Sequence, residues 1–245
     1  MSAAGLWRSI DGMPMRLPHE FDHQHGDVSG GWLRAATFGA MDGLVTNTAL
    51  IAGVGAVEPH AVLLSGVAGL VAGAFSMALG EYTSVTTSNE QIDAEAAVER
   101  RAIANHPDAE KRELTGMLRK LGLSESTAEA AVEEIHEDED IAVRIHLAQE
   151  IGVNPAEKPS PTAAAGSSFL MFAIGAIIPL LPYVLGFPSL LAGLICGGVG
   201  LLIAGAMAAH FTKRPRWQGA LRQLVFGMVA VGATYLVGMF IGHVV

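Results

Sequence analysis

This sequence has only one cysteine, and it lacks a nucleotide-binding loop. Its single cysteine, Cys196, excludes an internal disulfide framework and any zinc site built from several thiolates. The Gly-x-x-x-x-Gly-Lys loop that cradles nucleotide phosphates is absent, so the sequence predicts no ATP-driven transport by this chain alone. No basic patch interleaved with aromatic residues is present, which argues against a nucleic-acid partner.

Charged residues are also scarce, and they are unevenly distributed. They make up 16% of the 245 residues, whereas apolar residues make up 51%. Residues 89–160 hold 17 acidic and 8 basic residues, so this segment alone accounts for the net charge of −9. Many of the 29 glycines lie within apolar runs, where membrane helices tolerate them at packing contacts. The composition predicts an all-α, polytopic membrane protein.

Five apolar segments are long enough to cross a bilayer core, which takes about 20 helical residues. They are residues 33–57, 61–85, 163–186, 189–211 and 218–243. The predicted parts are a cytoplasmic tail (1–31), two spans (32–88), a cytoplasmic helical metal-binding insert (89–160) and three spans (161–245).

The basic residues predict the orientation of these spans. If the N-terminus is cytoplasmic, all fifteen Lys and Arg residues lie in or beside cytoplasmic segments, as the positive-inside rule requires. Residues 86–162 are then cytoplasmic and the C-terminus lies outside. Residues 1–31 lack the apolar core of a signal peptide, so export is not expected. No organelle-targeting segment is visible, which favours a bacterial plasma membrane.

The insert is predicted to form three helices. Neither Gly nor Pro interrupts residues 81–104, so the first helix, residues 91–105, is expected to continue the second span. Pro107 suits the first position of a second helix that ends near Gly122. Ser124 suits the N-cap of a third helix that reaches about Ile151.

Carboxylates within the predicted spans are candidates for an ion pathway. Asp42 lies inside the first span, and Met77 and Glu81 share one face of the second because they are four residues apart. An intramembrane carboxylate is costly unless it is hydrated, paired or bound to a cation. The alternative is that Asp42 and Glu81 lie near the inner interface and are simply hydrated, and that Met77 only packs.

The insert carries candidate metal ligands at helical spacing. The pairs are Glu95 with Glu99, Glu110 with Glu113, and His146 with Glu150. Packed together, three such helices would surround a cavity with carboxylates and an imidazole, a set that suits Fe²⁺, Mn²⁺ or Zn²⁺. The alternative is a set of solvated acidic faces, since Glu is a good helix former.

Two further His-containing stretches are weaker candidates. Glu133 and His136 form a single Glu-x-x-His pair, whereas a di-iron carboxylate bundle requires two, so an oxidase centre is not expected. The tail sequence "HEFDHQHGD" (19–27) has the residue types to bind metal weakly, but a flexible tail favours no ordered site there.

Three stretches resemble the vacuolar iron transporter family. They are "WLRAATFGAMDGLVTNTALIAGV" (32–54), "GLVAGAFSMALGEYTSV" (69–85) and "GSSFLMFAIGAIIPLLPYVLG" (166–186), arranged around a charged helical insert. The resemblance implies a homodimer of five-helix protomers with an ion path along the dimer interface and a cytoplasmic three-helix metal-binding domain. It also implies export of Fe²⁺, often with Mn²⁺ or other divalent ions, in exchange for protons.

The resemblance assigns roles to particular residues. Asp42 and Met77 match the membrane aspartate and methionine of the family, and Glu81 matches the carboxylate of its "GEY" motif. In the insert, the matching glutamates are Glu99, Glu110, Glu113 and Glu150. Two positions depart from the family pattern. His146 and Leu147 replace the methionines of plant members, and Met41 replaces an asparagine beside Asp42.

The sequence therefore predicts a divalent metal transporter, not an enzyme, with no cofactor beyond the transported ion. Asp42 is expected to bind the metal and protons in turn, because a carboxylate cannot hold both well. The expected partners are divalent ions, protons, the lipid bilayer and a second copy of the chain. A membrane-anchored metal sensor and a passive divalent-cation channel are the two alternatives.

Overall fold

The computed structural model describes residues 31–244, with side chains to residue 243. Nearly all of this part is helical, and no strand occurs in it, so the all-α prediction is confirmed. The predicted cytoplasmic tail, residues 1–31, and its histidine stretch lie outside the described residues except for Gly31. The helices are α1 (Trp32–Gly55), α2 (Val62–Asn105), α3 (Pro107–Lys120), α4 (Glu125–Ile135), α5 (Glu139–Glu150), α6 (Pro161–Ile177), α7 (Leu181–Val184), α8 (Leu190–Phe211) and α9 (Arg216–Val244).

Four stretches of the described chain are long and apolar enough to cross a membrane. They are Pro59–Asn105, Pro161–Val184, Leu190–Phe211 and Arg216–His243. Their most apolar windows are little buried within the chain, as expected for helices that face lipid. Four of the five predicted spans are therefore confirmed by length and hydropathy.

The first predicted span forms α1 but is not among those four. Asp42, Thr46, Asn47 and Thr48 lower the hydropathy of its central turns. Nevertheless α1 lies at the centre of the bundle, packed against α2, α6, α8 and α9. Its side chains are correspondingly enclosed, and Ile51 is fully buried. A helix surrounded by other helices can carry more polar groups than one surrounded by lipid.

Glycines bring α1 and α6 into backbone contact. A Cβ atom on Gly43 would lie 2.2 Å from the Phe172 carbonyl oxygen, and one on Gly175 would lie 2.3 Å from that of Ala40. Real Cβ atoms do not approach other heavy atoms so closely, so only glycine permits this crossing. Close approach through small residues is the usual way in which membrane helices associate.

The glycines of α2 also serve packing within the chain. Gly66, Gly69 and Gly73 lie in the membrane-length part of this helix. A Cβ atom on Gly73 would lie 2.3 Å from the Phe172 ring, and Gly66 and Gly69 are similarly covered by leucine side chains. These three glycines therefore accommodate neighbours from the same chain.

The third predicted span, residues 163–186, is interrupted in the structure. A 3₁₀ turn at Ile178–Leu180 separates α6 from the short α7, because Pro179 has no N–H to donate. The Asn47 side-chain amide on α1 donates to the Ala176 carbonyl oxygen beside this turn, at 2.6 Å. A polar group of the central helix thereby satisfies a carbonyl next to the break.

The predicted insert begins as an unbroken continuation of α2. This helix runs to Asn105, so the predicted junction with residues 91–105 is confirmed. Pro107 begins α3, and Gly122 follows its end with a φ of +104°, as the sequence indicated. Ser124 caps α4 by accepting a hydrogen bond from the Thr127 N–H.

The prediction of one long third helix from Ser124 to Ile151 was wrong. The structure divides it into α4 and α5 around residues 136–138. Asp138 acts as the N-cap of α5, since its carboxylate accepts from the N–H groups of Asp140 and Ile141. A side chain that caps a new helix competes with continuation of the preceding one.

Apolar contacts and ion pairs hold the short helices against α2 and against one another. Leu114, Val132 and Leu147 are buried at their centre. Salt bridges join Arg100 to Glu139 and Asp140, Lys111 to Glu133, and Lys158 to Asp93. Exposed ion pairs contribute little energy each, so they mainly orient the helices around the apolar centre.

We predict that Gly175→Ala destabilises the protein by about 1–3 kcal/mol, because the added methyl group would press on the α1 backbone. Gly166→Ala in the same helix is the matched control, since nothing lies within 4 Å of its Cβ position. That change should be neutral or stabilising by up to about 1 kcal/mol. Thermal unfolding in detergent measures both, and equal stability of the two variants would contradict the close crossing.

Candidate metal site

Three helices bring four potential metal ligands together. Glu99 lies on α2, Glu110 on α3, and His146 and Glu150 on α5. One ligand atom from each of these residues lies within 4.8 Å of every other. The i, i+4 spacing of His146 and Glu150 puts both on one face of α5, and the packing of α5 on α2 presents that face to Glu99.

His146 lies at the centre of this cluster and is fully buried. Its Nδ1 atom lies 3.1 Å from a Glu99 oxygen, 3.2 Å from a Glu150 oxygen and 3.8 Å from a Glu110 oxygen. Only the Glu150 contact has hydrogen-bond geometry, so Glu99 Oε1 is buried without a hydrogen-bond partner. A single imidazole N–H cannot satisfy three carboxylates.

The electrostatics of the cluster disfavour ionisation of Glu99. Burial raises the pKa of this carboxyl above its ordinary value, and the carboxylate of Glu150 raises it further. Glu110 and Glu113 act in the same direction, whereas His146 opposes them. The site thus gathers carboxyl groups in a partly dry environment, and no lysine or arginine of the described residues pairs with them.

These residues fit a divalent cation. Three carboxylates and one imidazole provide oxygen and nitrogen donors, a set that suits Fe²⁺, Mn²⁺ or Zn²⁺. One Glu99 oxygen has no hydrogen-bond partner, and the potential ligand atoms of the four residues lie close together. A cation bound between them would neutralise the carboxylates. A bound divalent ion would convert mutual repulsion of the carboxylates into attraction to a shared charge.

Two predicted ligands lie outside the group of four. Glu95 is exposed on α2, and Glu113 is exposed on α3, although the charge of Glu113 is close enough to raise the pKa of Glu99. The Glu-x-x-His pair is divided, because Glu133 forms an ion pair with Lys111 while His136 packs against His146. Contact between these two histidines had no signal in the sequence.

The membrane carboxylates have different environments. Glu81 is 9% exposed and forms an ion pair with Arg34, which joins α2 to the first turn of α1. Asp42 is half-buried and accepts a hydrogen bond from the Thr46 hydroxyl, 3.1 Å away on the same helix. Among the described residues, no basic side chain pairs with Asp42.

The methionines near these carboxylates have different neighbours. Met77 packs beside a buried cluster formed by Ala74, Phe172 and Ala176. Met41 lines a cavity of about 470 Å³ between the start of α1 and the end of α8.

Sequence reasoning missed Arg34 as the partner of Glu81, since the two are 47 residues apart.

The fold and the site define a helical membrane protein with an acidic, histidine-containing ligand cluster on an extension of one membrane-length helix. The sequence model of the VIT family matches residues 33–239. The chain is 31% identical over 239 residues to a vacuolar iron transporter of Acanthamoeba castellanii, and the alignment covers 96% of this chain and 85% of that protein. The chain therefore belongs to the VIT family, and the resemblance to vacuolar iron transporters is confirmed.

Two plant proteins show the same relationship. Identity to vacuolar iron transporter homolog 3 of Arabidopsis thaliana is 34% over 209 residues, covering 83% of this chain and 80% of that protein. Identity to vacuolar iron transporter homolog 4 of Oryza sativa reaches 60% over 78 residues, covering 30% of this chain and 35% of that protein. The chain is thus a membrane protein of a transporter family.

We predict that metal affinity of the cluster falls as the pH is lowered through the raised pKa of Glu99. A cation binds the ionised carboxylate, and protonation of Glu99 begins at a higher pH than for an ordinary glutamate. Calorimetric titration of the full-length protein with Mn²⁺ between pH 5 and pH 8 would measure this, with about tenfold weaker binding expected for each pH unit below that pKa. Affinity that does not change over this range would contradict the assignment.

We also predict that Glu99→Gln stabilises the metal-free protein near neutral pH. Because the folded-state pKa of Glu99 is raised, ionisation destabilises the fold increasingly as the pH rises from the unfolded-state value toward the folded-state value. The amide removes that penalty and also weakens metal binding. Thermal unfolding should therefore show a higher midpoint without metal and a smaller upward shift with it. The matched control is Glu95→Gln, which should change neither quantity because Glu95 is exposed.

Proposed function

We propose that this protein exports Fe²⁺, together with Mn²⁺ and related divalent ions, from the cytosol in exchange for protons. The observation that carries the proposal is the convergence of Glu99, Glu110, His146 and Glu150 on the extension of a membrane-length helix. Family membership and the relatives' names, vacuolar iron transporter, support metal transport as the function. The transported ion is the substrate, and no resident cofactor is proposed.

We propose that α1 is a fifth transmembrane helix and that the N-terminus is cytoplasmic. The central position of α1 among the four apolar spans supports this assignment, because its neighbours shield its polar groups from lipid. Residues 32–88 and 161–245 then form the membrane part, and residues 89–160 form a cytoplasmic metal-binding domain. The C-terminus lies outside, and the proposed location is the bacterial plasma membrane.

A homodimer is part of the proposal. The outward face of α2 carries a stripe of large, exposed apolar side chains: Leu64, Val71, Phe75, Leu79 and Tyr82. A second copy that packs along this face would place two copies of α2 side by side.

The length of α2 supports a route from the cluster to the membrane. Its 44 residues span about 66 Å, roughly twice the thickness of a bilayer core. Glu81 and Glu99 are 18 residues apart, which is five helical turns, so both lie on one face of the helix. An ion released from the cluster would therefore meet the face that carries Met77 and Glu81.

We propose that Asp42 couples metal movement to proton movement. Because no basic side chain of the described residues neutralises Asp42, a cation or a proton is left to do so. Glu81 is a second proposed pathway residue, at the inner end of the membrane-spanning part of α2. Its ion pair with Arg34 also gives Glu81 a structural role, since the pair connects α1 with α2.

Two rival functions predict different results. A membrane-anchored sensor would bind metal through the cluster without any flux, and a passive channel would conduct the ion without a pH gradient. The relatives' names favour a transporter over an enzyme, and no reaction is proposed for this chain. Flux measured with and without a pH gradient separates the three functions.

We predict that Asp42→Asn reduces proton-coupled Fe²⁺ uptake by at least about tenfold, because the amide cannot exchange a proton for the metal. The assay uses proteoliposomes with an acidic lumen and Fe²⁺ outside. Uptake is expressed per transporter whose α3–α5 segment faces outward, toward the added Fe²⁺. Glu90→Gln, an exposed position on α2, is the matched control and should transport like the parent. Parental uptake by Asp42→Asn would refute the coupling role.

A further inference from the structure

His136, the histidine of the divided Glu-x-x-His pair, has one ring nitrogen fixed as a donor. It follows the last turn of α4, and its Nδ1 atom lies 2.9 Å from the Val132 carbonyl oxygen. A carbonyl oxygen only accepts, so Nδ1 carries the hydrogen. The other nitrogen, Nε2, therefore carries a lone pair in the neutral ring.

The free nitrogen of His136 is buried next to His146. Its Nε2 atom has no hydrogen-bond partner among the described residues. The two imidazole rings pack edge to face, with their centroids 5.3 Å apart and their planes at 86°.

In His146, the buried nitrogen Nε2 would be a donor without an acceptor once a metal ion is bound. Its Nδ1 atom faces the carboxylates of Glu99 and Glu150, so a divalent ion held there would take the Nδ1 lone pair. The hydrogen must then reside on Nε2. That Nε2 atom is buried within a fully buried side chain and has no acceptor among the residues described. One histidine thus offers a buried donor without an acceptor, and its neighbour offers a buried acceptor without a donor.

We propose that His136 is a positioning residue of the metal site, whose Nε2 atom accepts the Nε2–H of His146 when metal binds. The inference depends on the proposed metal capture by the cluster. Metal-ligating histidines nearly always donate their second N–H to a nearby acceptor, which fixes the tautomer and the ring orientation. His136 would fill that role from α4, an element that contributes no ligand of its own.

This arrangement makes His136 a determinant of metal selectivity. The imidazole of His146 favours ions that accept nitrogen donors, such as Zn²⁺ and Fe²⁺, whereas the three carboxylates alone suit Mn²⁺ and Mg²⁺. Loss of the acceptor would weaken nitrogen ligation and leave the oxygen ligands in place. Binding of Zn²⁺ should therefore depend on His136 more strongly than binding of Mn²⁺.

The test compares Zn²⁺ and Mn²⁺ affinities of the purified full-length protein by calorimetry. His136→Phe should weaken Zn²⁺ binding by roughly 10- to 100-fold, the usual effect of losing such a partner. Its Mn²⁺ affinity should change by less than about threefold, within the scatter of such measurements. His136→Gln should restore Zn²⁺ binding, because the glutamine side-chain oxygen can reach the position of Nε2. His106→Phe, an exposed histidine between α2 and α3, is the matched control and should bind both ions like the parent.

A pair of amide variants keeps the inference falsifiable if His136→Phe does not fold. His136→Asn is as polar as His136→Gln, but its oxygen lies nearer the position of Nδ1, so it should not restore Zn²⁺ binding. Equal Zn²⁺ affinity of the Gln and Asn variants would overturn the inference, and so would an equal loss of Zn²⁺ and Mn²⁺ affinity.

Glu99→Gln separates failure of this inference from failure of the proposed function. If it weakens binding of both ions while the His136 variants bind like the parent, only the role of His136 is wrong. If it leaves both affinities unchanged, the metal site itself is wrong, and the inference fails with it.

Discussion

The structure depends on the continuity of α2. One unbroken helix carries the glycines that pack within the membrane bundle, the Glu81 carboxylate that binds Arg34, and the Glu99 carboxylate of the ligand cluster. A helix of this length is about 66 Å long, and each residue advances it by about 1.5 Å. Because the second half is a direct extension of the first, a change in the tilt of α2 within the bundle would move the cluster by a corresponding amount.

The buried carboxylates differ in how their charge is balanced. Glu81 has the guanidinium of Arg34, whereas Glu99 shares one imidazole with two other carboxylates and keeps an oxygen without a hydrogen-bond partner. Burial and like charges raise the pKa of Glu99, so the metal-free cluster is poorly satisfied. A group of this kind lowers the stability of the fold, and a bound cation would remove that cost. This contrast is the physical reason for assigning cation binding to the cluster.

The apolar bundle also holds polar side chains at its centre, and these need hydrogen-bond partners. The polar side chains of α1 bond to the helices themselves, as Thr48 does to the Leu44 carbonyl and Asn47 to the Ala176 carbonyl. These bonds satisfy groups that lipid cannot, and the glycine contacts between α1 and α6 leave no room for water along that crossing. The helix that carries these polar groups is thus enclosed by four others, and it is not among the four stretches of the described chain that are long and apolar enough to cross a membrane.

The sequence by itself determined the all-helical class, four apolar spans, the extension of α2 and the caps at Pro107, Gly122 and Ser124. These features depend on local composition and on periodicity, which a single chain displays directly. The division between α4 and α5 was missed, although Asp138 is a favourable N-cap residue, because it lies within a run of acidic residues.

Only the tertiary structure decided which acidic residues meet. Glu99, Glu110, His146 and Glu150 converge while Glu95 stays exposed, and Arg34 reaches Glu81 across 47 residues of sequence. Residue spacing predicts which side chains share one face of a helix, but which faces meet depends on how the helices pack against one another.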